Sequence, residues 1–144
     1  LLLGGYLSPK IGFGEADVLL GFEPLETLRA LPYLRPGGFL ISNTEPTIPI
    51  GVSIGQDTYP DLEEVRSRSQ ECAGWAGFVP CKSLAVQSGT VQSANMVLLG
   101  ALGAIEMEPF TLPALHQAIN NHLPAKTVDI NLQASQLGFE AVRE

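Results

Sequence analysis

The segment Gly51-Val52-Ser53-Ile54-Gly55 has the spacing of a G-x-S-x-G nucleophile elbow. That motif works by exposing a serine on a strained strand-to-helix turn, beside backbone N–H groups that receive an oxyanion. The surroundings here do not supply the turn: Pro49 precedes the match, and Gln56-Asp57-Thr58-Tyr59-Pro60 follows it without helical periodicity. Ser53 is therefore expected not to be a nucleophile. His116 and His122 stand six apart, off the i, i+4 spacing that puts two imidazoles on one helix face, and no Glu/His pair completes a zinc set. Cys72 and Cys81 are nine apart with no C-x-x-C, so neither a zinc nor an iron–sulfur ligand set is expected, only two reduced thiols. Gly12-Phe13-Gly14 comes before an apolar run instead of after it, the reverse of a dinucleotide fingerprint, and reads as a turn. Asn120-Asn121 lacks the upstream Gly-Asp-Gly that a thiamine diphosphate site would need. The residues that could do chemistry thus form no self-sufficient catalytic set.

The chain around them has 144 residues, enough for one domain and one core. Hydrophobic residues make up 45% and charged residues 16%, with a mean hydropathy of +0.19, which favours a packed core over disorder. Fifteen Gly and eleven Pro without a repeat indicate many tight turns. A net charge of -7 has the wrong sign for a phosphate backbone, so no nucleic acid partner is expected. The longest strongly apolar stretch, Met96 to Ile105, is half of the roughly 20 residues a membrane-spanning helix requires, so no membrane span is expected. Leu1 to Leu7 carries no initiator Met and no basic residue and is not read as a signal peptide.

Ala16-Asp17-Val18-Leu19-Leu20-Gly21-Phe22 predicts a strand. Glu23-Pro24 then opens a helix bearing Leu25, Leu28 and Leu31, with the acids at the positive end of its dipole. A turn over Tyr33 to Gly38 leads to a second strand, Phe39 to Ser42, and the crossover makes the two strands parallel. Residues 43 to 58, with Pro46, Pro49, Gly51 and Gly55, form an unusually long loop at a strand's carboxyl end. It is either a surface for a ligand or partner, or a proline-rich connector. Asp61 caps a helix to about Glu71, Trp75 to Val79 is a third strand, and a helical turn near Ser83 to Val86 stops at Gly89. Ser93 is expected to cap a buried helix over 94 to 105, whose Gly100 and Gly103 suggest close backbone packing against a sheet or subunit. Thr111 caps a further helix to about His122, and a last one runs from about Val128 to Ala141.

In order, Glu15-Ala16-Asp17-Val18-Leu19-Leu20-Gly21-Phe22-Glu23-Pro24-Leu25-Glu26, Leu34-Arg35-Pro36-Gly37-Gly38, Asn43-Thr44-Glu45-Pro46, Tyr59-Pro60-Asp61-Leu62-Glu63-Glu64 and Ser93 to Leu102 resemble the gamma-type subunit of 2-oxoacid:ferredoxin oxidoreductases. Within that family, the pattern is most similar to beta subunits of indolepyruvate ferredoxin oxidoreductases. The likeness runs from about Ser8 to the C-terminus and implies a single α/β domain over 1 to 144, three-layered, with a mostly parallel sheet flanked by helices. The family's opening G-x-G-G-Q-G turn is missing. Leu1 to Leu7 looks like the helix that follows it, so residues are expected to be absent before Leu1 and between Leu7 and Ser8.

The resemblance further implies a cytoplasmic, oxygen-sensitive complex that oxidatively decarboxylates a 2-oxoacid with coenzyme A and passes two electrons to ferredoxin. Thiamine diphosphate, magnesium and 4Fe-4S clusters would belong to catalytic partner subunits, with no cofactor bound by this chain alone and a mainly structural role for it. On that reading, Asn43, Thr44 and Glu45 at a strand's end, and Ser93 and Asn95 at a helix start, are the polar positions expected to face the shared site; local capping and turn formation is the alternative for Asn43 and Ser93. The competing class is a stand-alone, non-catalytic α/β binding or regulatory module.

Overall fold

Three short apolar runs, each bounded by Gly or Pro, make the sheet: β1 (Ala16–Gly21), β2 (Leu34–Asn43) and β3 (Trp75–Val79). The structure is a computed structural model that describes residues 1–5, 10–46 and 59–143. The strands lie in the order β1-β2-β3 with both pairings parallel, Leu20 beside Ile41 and Ile41 beside Gly77. Each parallel step needs a crossover helix. The first is α1 (Pro24–Ala30), begun by Glu23, whose carboxylate accepts from the Glu26 N–H at 3.0 Å. The second is α2 (Leu62–Cys72), begun by Asp61.

Alternation along the strands sorts the core onto two faces. Leu40 points with Leu19, Ala76 and Phe78 into the cluster of Leu31 and Leu34, on the side of α1 and α2. Ile41 and Val79 point the other way, into Val97, Leu98, Ala101 and Ala134. That second layer comes from the chain after β3: α3 (Cys81–Gln87), α4 (Ala94–Gly103), α5 (Leu112–His122) and α6 (Ala125–Arg143). The result is the expected helix–sheet–helix sandwich. Leu40 and Ile41 are both fully buried. Each such side chain contributes about 1.5–3 kcal/mol through its removal from water.

Several boundaries differ from expectation. β2 begins at Leu34, and Arg35 to Gly38 forms an irregularity within it, Ala16 pairing with Leu34 but Val18 already with Phe39. Gly37, at φ +74°, permits that detour, so the Pro-Gly-Gly signal is a bulge within the strand. α6 starts at Ala125, three residues early, because the chain turns directly after Pro124 and the Thr127 N–H donates to its carbonyl. Leu1 to Gly5 is not helical: Gly4 holds φ at +120°, outside the helical region.

The packing expected of α4 is present, with a different partner. A Cβ on Gly100 would lie 1.9 Å from the Ser135 carbonyl oxygen, and one on Gly138 would lie 1.8 Å from that of Val97. The close approach is therefore between α4 and α6, backbone against backbone, and not between α4 and the sheet. Gly103 instead meets the backbone of Leu112 at the start of α5.

Candidate functional site

In a parallel sheet all strands end on the same side, so the residues just past β1, β2 and β3 gather there. Thr27 and Ser42 mark the inner wall: their buried hydroxyls lie 2.8 Å apart, and Gly21 leaves the space that Thr27 fills. Beyond them Asn43, 5% exposed, links all three strand ends. Its Nδ2 donates to the Phe22 and Glu45 carbonyls, each at 3.1 Å, and its Oδ1 accepts from the Glu45 and Cys81 N–H groups, again at 3.1 Å.

Glu45 lies at the start of α3. Its carboxylate accepts from the Lys82 N–H at 2.5 Å, the Ser83 N–H at 3.0 Å and the Ser83 hydroxyl at 2.5 Å. These are the donors that a helix N-terminus leaves unpaired, and here the chain's own carboxylate takes them. Partial burial works to raise the pKa of Glu45, but the Ser83 hydroxyl, the Ser83 and Lys82 N–H groups and the Lys82 ammonium outweigh it, and the net direction is downward. The Lys82 Nζ also donates to the Pro46 carbonyl at 2.9 Å. Thr44 is half-buried between Asn43 and Glu45, its N–H donating to the Val79 carbonyl at 2.9 Å.

On the β1 side, Glu23 does two things with one carboxylate. One oxygen accepts from the Glu26 N–H, and the other accepts from the Tyr59 hydroxyl. Burial, and then the Glu23 carboxylate itself, push the Tyr59 pKa upward, since ionising the phenol would place two negative charges together. Cys81, 3% exposed, is likewise pushed up to about 12 by burial and by Glu45. Spacing alone did not reveal Glu23, Tyr59, Cys81, Lys82 or Ser83 as part of this group. The parallel register did carry the signal, because Asn43 opposite Val79 brings Pro80 to Ser83 beside residues 43 to 45.

Ser93 and Asn95 are placed elsewhere. The Ser93 hydroxyl does not cap α4; it donates to the Thr90 carbonyl at 2.7 Å and touches the Ser88 hydroxyl at 2.9 Å, with Ser93 only 4% exposed. A 3-10 turn over Val91–Ser93, capped by Thr90, runs into α4 and occupies the end at which a serine cap was expected. Asn95 is exposed in the first turn of α4. Glu45 sits at the first turn of α3 and Ser88 follows its last, so seven residues of helix, about 10 Å, separate the two sets. The structure joins Asn43, Thr44 and Glu45 into one group and leaves Ser93 and Asn95 in another.

The Gly51 to Gly55 match and most of the 43–58 loop lie outside the described residues. His116 has an ordinary polar contact, its Nε2 3.1 Å from the Ser135 hydroxyl. Among the described residues, no three His, Cys, Asp or Glu converge to hold a metal ion, and no helix is long and apolar enough to cross a membrane.

The three-layer α/β fold that carries this group is shared by solved oxoacid oxidoreductase subunits. A gamma subunit of keto/oxoacid ferredoxin oxidoreductase from Geobacter sulfurreducens superposes with a TM-score of 0.62 at 22% identity, over 90% of this chain and 66% of that one. Pyruvate oxidoreductase subunit PORC from Thermotoga maritima gives 0.56 at 22% identity, over 87% and 62%. Residues 7–141 match the profile of the pyruvate ferredoxin/flavodoxin oxidoreductase family. Indolepyruvate oxidoreductase subunit IorB is 37% identical over 132 residues in Thermococcus kodakarensis and 39% identical over 132 residues in Pyrococcus horikoshii. Both alignments cover 91% of this chain, which spans 65% of the length of each of these relatives. The chain belongs to the pyruvate ferredoxin/flavodoxin oxidoreductase family.

Proposed function

We propose that the chain is a small, non-catalytic subunit of a cytoplasmic complex that oxidatively decarboxylates a 2-oxoacid, such as indolepyruvate or pyruvate, to an acyl-CoA, with ferredoxin as electron acceptor. The observation that carries this reading is the family match over residues 7–141, together with relatives named as indolepyruvate oxidoreductase subunits. Thiamine diphosphate, magnesium and 4Fe-4S clusters reside in the catalytic partner subunits. The role of this chain is structural: it closes over those subunits with the carboxyl edge of its sheet. The hydrogen-bonded group of Asn43, Glu45 and Ser83 holds that edge in shape; Thr44 on that edge and, separately, the exposed Asn95 in the first turn of α4 are the two positions this reading assigns to contact with the partner subunits.

The site assignment is tested by comparing complexes that carry Thr44→Ala or Asn95→Ala with the unaltered complex. The expected result is a raised KM for coenzyme A or the oxoacid with assembly and melting temperature unchanged. Unaltered kinetics in both variants would remove these two residues from the site.

A further inference from the structure

No further inference is drawn: the strongest candidate, the open groove of about 330 Å³ beside the start of β3 between Phe39, Trp75, Ile105, Val142 and Arg143, is an unpartnered surface, and nothing in the structure shows what covers it.

Discussion

Asn43 spends every polar atom of its side chain on backbone groups from three strand ends, which makes it a structural knot whether or not a partner approaches it. Asn43→Ala would leave the buried Cys81 N–H without its acceptor and free the Glu45 N–H. A cost of about 2–4 kcal/mol is expected in urea unfolding, since each orphaned buried group costs about 1–3 kcal/mol. An unchanged midpoint would contradict the role. Glu45 makes the same region sensitive to acid. Its folded pKa is depressed below the ordinary 4.5, so its stabilisation is complete above that value and fades as pH falls through the folded pKa. Glu45→Gln should therefore flatten the loss of stability below about pH 4.5, seen as a smaller drop in unfolding midpoint between pH 5 and pH 3. Equal slopes in the two proteins would speak against it. The two thiols should also separate chemically. Cys72 is exposed, whereas Cys81 is buried with its pKa near 12. An aromatic disulfide reagent at pH 8 is expected to titrate one thiol in the native protein and two in denaturant. Two fast thiols in the native protein would show that the Cys81 pocket opens readily.

At the scale of elements, the contact between α4 and α6 has the least tolerance. The Cβ positions of Gly100 and Gly138 each fall under 2 Å from a carbonyl of the facing helix, too close for any side chain without moving a backbone. Gly100→Leu is expected to lower stability by about 1–3 kcal/mol or more through overpacking, read as a fall in melting temperature; an unchanged value would refute the packing. The three strands were legible because each is an apolar run closed by Gly, Pro or a polar residue, and α1, α2 and α5 because Glu23, Asp61 and Thr111 begin them with a side-chain cap. The bulge at Arg35 to Gly38 was not legible, because Pro-Gly-Gly has the same local chemistry in a turn and in a strand detour. Nor was the role of Ser93, since a serine before an apolar run caps a helix only when its hydroxyl is free of other partners, and Ser88 and Thr90 take it. The group around Asn43 depends on which strands are neighbours, a long-range fact that local periodicity does not contain.

For the molecule as a whole, both faces of a three-stranded parallel sheet are covered, and the polar groups of the carboxyl edge are largely engaged with one another. That arrangement suits a piece that is held rigid against a partner. A hydrolase centred on Ser53 would need a strand-to-helix turn at the serine, and the sequence around Gly51 to Gly55, with Pro49 before it and no helical periodicity after it, does not read as one. Family membership and the IorB relatives point toward a multi-subunit oxidoreductase. The most direct measurement is an anaerobic pull-down of the tagged full-length protein from its native cell, with the eluate assayed for partner subunits, iron, thiamine diphosphate and coenzyme-A-dependent ferredoxin reduction. The account predicts co-elution of a larger, iron-bearing subunit with that activity, and the fastest oxoacid then names the substrate. A lone, cofactor-free protein would contradict it and favour the stand-alone binding module.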